Sequence, residues 1–478
     1  MSDRYDLVVL GGGTAGLVSS VIAASVGARV CLVERERTGG DCLWTGCVPS
    51  KSLIAAATLA HSIRTAGAVG LEPTEPRIDF ASVMNRVHDA IATIEPHDSP
   101  ERLRREGVEV IEGEARLTGE GTVAVDGRTL RFRSAIVATG SEPIKPELPG
   151  LDGESTWNTE TIWELRELPR KLVVLGGGPV ACELGQAFRR LGAEVTLLQR
   201  AERLLEKEEP EASALVLEVL RSEGVDVHLE ARAREVRRRE GSAELVLANG
   251  IRGEEAVAFD HLLLAAGRRP RTDGLGLDAA GVRVGGRGEI EVDERLRTSA
   301  DRIFAAGDVT GRLPFTHVAA HHARVAVANA LFGARRKVDE TIPWVTFTRP
   351  EVARVGMSSA QARERWGERA TLARSDYSQL DRAITEGEAH GFALLVGDPR
   401  GRLVGATVAA PGAGEAIAEL TARVKHSDKI ASLSETVHAY PTLAEGPSRA
   451  ADDHLRERLA RYRGLARAAV MLRRLVRR

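Results

Sequence analysis

Cys42 and Cys47 stand five positions apart in the run Gly39-Gly40-Asp41-Cys42-Leu43-Trp44-Thr45-Gly46-Cys47-Val48-Pro49-Ser50-Lys51, just ahead of an apolar, Ala-rich helical stretch through Leu53 to Leu59. The partial positive charge of a helix N-terminus lowers thiol pKa values, so reactive thiols belong there. Two such thiols can close into a disulfide and reopen, which suits a two-electron relay. A structural disulfide or half of a metal site would use the same pair. A metal site, however, needs further Cys or His ligands at suitable spacing. The other cysteines, Cys31 and Cys182, sit inside the apolar segments Arg29–Val33 and Pro179–Leu184 and read as small buried hydrophobes. No metal site is expected.

The elements that must position this pair begin upstream. Asp6–Leu10 is an apolar run, followed by Gly11-Gly12-Gly13-Thr14-Ala15-Gly16, an apolar helical pattern to Val26, and a second strand, Arg29–Val33, ending at Glu34. Strand, G-x-G-x-x-G, helix, strand and acid form a dinucleotide-binding unit. The glycines permit a tight turn and close backbone approach, the helix N-terminus takes the pyrophosphate, and the acid takes ribose hydroxyls. The unit recurs at strand Lys171–Leu175, loop Gly176-Gly177-Gly178-Pro179-Val180-Ala181, a helix to Leu191 and strand Glu194–Leu198. Two loops imply two dinucleotides, one able to carry a flavin and the other a nicotinamide. The position matching Glu34 in the second unit is Gln199, followed by Arg200 and Arg203. Loss of the acid removes a repulsion against a 2′-phosphate, and arginines can pair with one, so NADPH is expected over NADH.

The chain's 478 residues suffice for about three domains, and its 43% hydrophobic and 28% charged content is ordinary for a soluble protein. A net charge of -2 gives no case for nucleic-acid binding. Four cysteines exclude a disulfide-stapled scaffold and fit a reducing compartment. The N-terminus runs directly into a strand with no signal-peptide pattern, and no apolar run is long enough to span a bilayer. A cytoplasmic location is the expectation. Basic residues are overwhelmingly Arg, so a Lys at a special place, such as Lys51, carries more weight than a lone Arg.

These residues resemble the pyridine nucleotide-disulfide oxidoreductases, flavoproteins that include dihydrolipoamide dehydrogenase, glutathione reductase and mercuric reductase. The likeness runs from about Tyr5 to about Arg449. It rests on the Cys-x4-Cys-Val-Pro-Ser-Lys run, both glycine loops, Ala138-Thr139-Gly140, Ala265-Ala266-Gly267-Arg268-Arg269-Pro270, Phe304-Ala305-Ala306-Gly307-Asp308, and Phe347 to Gly356. The resemblance implies an α/β protein with two Rossmann-like dinucleotide-binding domains and a C-terminal α+β dimerisation domain. The boundaries it suggests are 1–150 and 270–338 for FAD, 151–269 for NAD(P)H, 339–453 for the interface, and 454–478 as a basic amphipathic tail. FAD would use Gly11, Gly13, Gly16, Glu34 and Asp308; NADPH would use Gly176, Gly178, Arg200 and Arg203; Gly140 and Gly267 would also bind cofactor. By the same analogy Cys47 is the charge-transfer thiolate beside the flavin, Cys42 is the interchange thiol, and Lys51 with Glu183 is an ion pair close to flavin N5. A homodimer follows, because in this family the segment around His438–Glu445 completes the partner's active site.

The sequence departs from the family where a His, held by a Glu five positions on, serves as acid-base before Pro-Thr. Here that position is Tyr440; Glu445 remains, and His438 lies two residues early. A phenol near pKa 10 is a fixed donor rather than a proton shuttle at neutral pH. An acidic leaving thiol would need less help than an ordinary alkyl disulfide such as lipoamide. Tyr440 with Glu445-Gly446 resembles the mercuric reductases, but those carry a second, C-terminal thiol pair, and this sequence has no cysteine after Cys182. Trp44 either packs beneath the redox helix or, with Tyr440, walls a substrate pocket suited to a cation or flat heterocycle. Pro179 stands where several relatives carry a Tyr gating the nicotinamide pocket. In the tail, Leu455, Leu459, Tyr462, Ala466, Ala469 and Leu472 fall on one helical stripe, interrupted by Gly464. That helix would dock on the protein itself or make weak contact with an anionic membrane surface. The expected activity is FAD-dependent NADPH:disulfide oxidoreduction of a low-molecular-weight disulfide. The alternative is a flavin-centred NAD(P)H:quinone or metal-ion reductase.

Overall fold

In the computed structural model, which describes residues 4–473 apart from 152, 154, 240, 241, 250–252, 462, 463, 465, 466, 468, 469 and 472, the opening apolar run becomes the strand Arg4–Leu10. It lies between the parallel strands Val30–Glu34 and Arg128–Val137, with Leu10 level with Val33 and Val137. Three strands therefore end along one edge, where Gly11, Glu34 and Ala138 follow. Leu7, Val8, Val9 and Leu10 are fully buried. That is what a parallel strand covered on both faces requires, and why the run is continuous rather than alternating. One face packs on helix Thr14–Ser25 and helix Thr316–Phe332 through Leu17, Ala319 and Val325; the other, with Phe132 and Leu117, encloses Cys31. Ile303–Ala305 joins the same sheet beside Ala135–Val137 and delivers Asp308 to that edge.

The second glycine loop repeats the plan. Strands Glu194–Leu198, Lys171–Leu175, His261–Leu264 and Thr156–Asn158 lie side by side and parallel. Helix Pro179–Arg190 follows the loop and buries Cys182. Pro179 takes the first helical position, where no N–H partner is needed.

The chain divides into two compact units, 1–61 with 76–200 and 231–339, and 62–75 with 201–230 and 340–478. The second holds a five-stranded antiparallel sheet ordered Pro343–Thr346, Glu351–Gly356, Leu403–Ala410, Phe392–Gly397, Thr371–Asp376. Helices Ala413–His426 and Glu445–Arg461 belong to this unit, and Tyr377 is fully buried in its core. From Leu455 to Ala460 every residue of the last helix is exposed, and Gly464 is helical. Tyr462, Ala466, Ala469 and Leu472 lie outside the described residues. No described helix is long and apolar enough to cross a membrane.

The redox segment differs from the sequence expectation in one respect. Both cysteines were expected ahead of the helix. Instead Cys47 is the first residue of the 18-residue helix Cys47–Arg64, and Cys42 lies in its own short helix, Gly40–Trp44. Gly39 (φ 106°) and Gly40 (φ 59°) make the turn that starts the short helix, a conformation costly for side-chain-bearing residues.

Candidate active site

The four cysteines are free thiols, Cys42 half-buried and Cys47 exposed. Cys47 has the environment of a thiolate. Its pKa is lowered to about 6, first by a hydrogen bond from Cys42, against the opposing effect of burial; the Thr316 hydroxyl and the Lys51 charge push the same way. Thr316 Oγ1 is 3.4 Å from Cys47 Sγ, and the start of helix Cys47–Arg64 adds backbone N–H dipoles. Cys42 is driven up, chiefly because it donates to Cys47 and is buried. The two shifts run in opposite directions, which favours a single proton on Cys42 over one on Cys47. One turn along the helix, Lys51 Nζ donates to Glu183 Oε2 at 2.8 Å; Glu183 is buried, Lys51 only partly so.

The glycine loop is fastened to this pair. A Cβ at Gly40 would lie 2.6 Å from Gly13 Cα, and Gly39 N donates to Gly12 O at 2.9 Å. A Cβ at Gly11 would meet Ala138 O at 2.5 Å, and one at Gly16 would run into the Gly11 carbonyl oxygen. Gly13 begins helix Thr14–Ser25 with no side-chain cap and no acid in the first turn, so its N–H groups are free to receive an anion. Glu34 accepts from Gly12 N (2.5 Å) and Glu36 N (2.9 Å). Across the edge, Asp308 accepts from Ser141 Oγ at 2.7 Å, and burial pushes its carboxyl up. Gly140 and Gly267 hold positive φ, with Ile144 N donating to Gly267 O and Arg271 N to Gly140 O. Uncapped helix start, crowded glycines and a carboxylate at each side fit a flavin dinucleotide.

The second loop is built alike. A Cβ at Gly176 would run into Ala265 O, and Gly178 begins its helix uncapped with open space beside it. Gln199 replaces the acid, its side chain 2.7 Å from where a Gly177 Cβ would lie. Arg200 is exposed, its backbone N–H donating to Gln199 Oε1; Arg203 belongs to the other unit and donates to Glu206 O at 2.6 Å. The crowded Gly176, the uncapped helix start at Gly178 and Gln199 fit a nicotinamide dinucleotide.

Sequence reasoning missed a charged network behind the first cysteine. Arg268 donates to Asp41 Oδ2, to Ser141 Oγ (2.8 Å) and Ser141 O (2.9 Å), while Arg271 donates to Glu160 at 2.7 Å. Arg268 thus ties the Cys42 helix to the serine that holds Asp308. The Arg-rich background hid it, although Arg268 lay within a quoted motif. Trp44 is partly buried; its indole N–H donates to Thr38 O at 2.7 Å and Arg37 stacks on its ring at 3.9 Å. Thr316, too, carried no sequence signal.

In the second unit the Tyr440 segment is wired differently from expectation. Tyr440 is exposed and donates to Asp381 Oδ2 at 2.6 Å, which raises its phenol pKa. Glu445 accepts instead from Thr442 N at 2.8 Å. His438 Nε2 lies 3.1 Å from Glu419, and its Nδ1 2.9 Å from Thr436 O. The three do not form one hydrogen-bonded set. Among the described residues no cluster of His, Cys, Asp and Glu could hold a metal ion.

The family described as "Pyridine nucleotide-disulphide oxidoreductase" matches residues 5–323, and its dimerisation domain matches 342–451. A mercuric reductase of Streptomyces lividans is 38% identical over 449 residues, covering 92% of this chain and 94% of the relative. A dihydrolipoyl dehydrogenase of Thermus scotoductus is 36% identical, covering 94% and 97%. Among solved structures, LpdA from Mycobacterium tuberculosis superposes with a TM-score of 0.85 at 29% identity, covering 94% of this chain and 99% of that one. The HOCl-induced flavoprotein disulfide reductase RclA from Escherichia coli does so at 0.83 and 27%, covering 93% and 99%.

Proposed function

Because the chain belongs to the pyridine nucleotide-disulphide oxidoreductase family, we propose that it is an FAD-dependent NADPH:disulfide oxidoreductase reducing a low-molecular-weight disulfide through Cys42 and Cys47. The observation that carries this reading is the thiol pair itself, Cys47 opening its helix 3.4 Å from Thr316 Oγ1 with Lys51–Glu183 one turn on, and Cys42 in the short helix packed on the first glycine loop through Gly40 and Gly13. Bound flavin supplies two-electron transfer between the nicotinamide and the thiol pair. The protein's own groups do the rest. Helix Thr14–Ser25 receives the diphosphate at its N-terminus, Glu34 and Asp308 take cofactor hydroxyls, and Lys51, fixed by Glu183, sets positive charge beside Cys47. In this reading Cys42 attacks the substrate and Cys47 resolves the mixed disulfide.

We read 1–150 with 270–338 as the FAD-binding domain, 151–269 as the NADPH-binding domain and 339–453 as the interface of a cytoplasmic homodimer. Gln199 and exposed Arg200 support NADPH. The alternative is a flavin-centred quinone or metal-ion reductase. It is favoured by Tyr440, which is engaged with Asp381 and unsuited to act as a base, and by relatives named mercuric reductase. NADPH oxidation by the FAD-loaded protein over low-molecular-weight disulfides, quinones and Hg(II), with Cys42→Ser run alongside, separates the two. Disulfide turnover lost in Cys42→Ser is expected. Turnover of quinones alone, surviving in that variant, would overturn the proposal.

A further inference from the structure

The last helix passes from packed to unpacked without a break. Ala450 and Ala451 are fully buried in the core of the second unit, whereas every residue of 455–460 is exposed. Beyond the helix Glu445–Arg461, the described residues Gly464, Arg467, Val470, Met471 and Arg473 are also helical and exposed. The family's dimerisation domain matches only as far as residue 451, so this stretch lies past it. A helix without packing is marginal in water, and most helical stability comes from burying an apolar face. Such a face is present. Leu455 and Leu459 are one turn apart, and Val470 follows Leu459 by eleven residues, about three turns, so the three share a stripe. Leu459 is 59% exposed and Val470 53%. The sequence continues the same spacing at Tyr462, Ala466 and Ala469.

Charge is arranged around that stripe. Residues 455–478 hold nine Arg, no Lys and one acid, Glu457, which leaves 57 of the chain's 66 basic residues and 67 of its 68 acidic ones elsewhere. A strongly basic tail thus extends from a net acidic body. Helical spacing sets Arg456 and Arg467 along one border of the stripe, Arg458 along the other, and Glu457 on the far side. Arg456 also reaches Asp453 at 2.8 Å. A guanidinium bordering an apolar stripe can keep its methylene stem in an apolar layer and its head on a phosphate. Nucleic acid would answer the arginines but leave the apolar stripe in water. An acidic patch of the protein itself would do the same, and the described tail residues are exposed rather than covered by their own chain. A bilayer surface with anionic headgroups answers both the charge and the stripe.

We propose that segment 455–478 is a peripheral membrane anchor, lying along a bilayer of anionic phospholipid with Leu455, Leu459 and Val470 at the acyl boundary and the bordering arginines on headgroup phosphates. It rests on the surface and does not cross it, since no described helix is long and apolar enough to span a membrane. The acidic remainder of the chain is repelled by such a surface, so attachment depends on the tail. Attachment of this kind is independent of which acceptor the flavoprotein reduces.

The test sediments the whole 478-residue chain, loaded with FAD, with lipid vesicles. One set is phosphatidylcholine alone and the other carries about one-third phosphatidylglycerol. Wild type is expected to bind the anionic vesicles at least about tenfold more tightly than the neutral ones. It should lose most of that binding when salt rises from about 0.1 M to about 0.5 M. In Leu459→Glu/Val470→Glu, which alters exposed side chains only, binding to anionic vesicles falls about tenfold or more. In Arg458→Gln/Arg467→Gln it falls about tenfold. Flavin content stays at the wild-type value in both variants. Brief trypsin digestion gives a second readout: the tail arginines are cut in vesicle-free protein and protected on anionic vesicles. Absence of vesicle binding overturns the proposal, as do equal binding to neutral vesicles and undiminished binding by Leu459→Glu/Val470→Glu. Protection of the tail without vesicles overturns it in favour of docking on the protein itself. Retention on duplex DNA without vesicle binding overturns it in favour of nucleic acid.

Discussion

At the scale of single residues, the chemistry depends on keeping one proton on Cys42 and none on Cys47. The Thr316 hydroxyl beside Cys47 Sγ lowers the Cys47 pKa, whereas burial raises it. Thr316→Val keeps the volume and removes the donor, so Cys47 loses a hydrogen bond that favours its charged form. In the NADPH-reduced, FAD-loaded protein the thiolate absorbance of wild type is expected to titrate below the usual thiol range. In Thr316→Val the midpoint rises, leaving less thiolate at neutral pH; an unmoved midpoint would show that the hydroxyl does not serve the thiolate. Both cysteines and Lys51 were legible from type and spacing. Thr316 was not, since it reaches the site from a distant part of the chain, and a threonine carries no signal until the fold brings it there. For Trp44 the sequence left two alternatives and carried no sign of its bond to Thr38 or of the stacked Arg37.

At the scale of elements, the two glycine loops are built alike, and the steric margin differs from one glycine position to another. A methyl at Gly16 would collide with the Gly11 carbonyl, a backbone atom that cannot turn aside, whereas a methyl at Gly178 meets nothing within 4 Å and the residue has extended backbone angles. Gly16→Ala is therefore expected to lose FAD and most of its folded yield, read by the flavin-to-protein absorbance ratio. Gly178→Ala should keep its flavin and change stability by less than about 0.5 kcal/mol, with any effect confined to the KM for NADPH. Equal behaviour of the two would contradict the close packing described at Gly16. The strand–loop–helix order was readable because an all-apolar strand, glycines and an apolar helix can hardly be arranged otherwise. What pattern reading could not supply was the link between elements, such as Arg268 joining the Cys42 helix to Ser141 and Asp308. In a chain this rich in arginine, only geometry distinguishes a structural guanidinium from a solvated one. Arg268→Leu leaves Asp41 without that partner in a half-buried setting and should cost about 1–3 kcal/mol, measured by urea unfolding of the FAD-loaded protein.

At the scale of the whole molecule, 66 basic and 68 acidic residues nearly balance at neutral pH, and many are paired within their own unit. Acid therefore removes carboxylate partners, but one buried group sets an earlier threshold. His322 is 3% exposed, and its Nδ1 accepts from the N–H of Gly307, the residue before Asp308. Burial, reinforced by Arg312 and His321, lowers its pKa to about 4. The sign follows from linkage. Above about pH 6.5 the ring is neutral whether the chain is folded or not, and it contributes no pH dependence. Between about 6.5 and 4 the unfolded chain binds a proton that the folded chain refuses, so stability falls by about 1.4 kcal/mol per pH unit. His322→Asn removes the titration and keeps an acceptor, its amide oxygen, for the Gly307 N–H. Wild type and variant are expected to unfold at similar urea concentrations at pH 7.5. At pH 5 wild type should have lost about 2 kcal/mol more than the variant, and flavin release on unfolding should follow the same difference. Parallel loss in both proteins would assign acid lability to the carboxylate pairs alone.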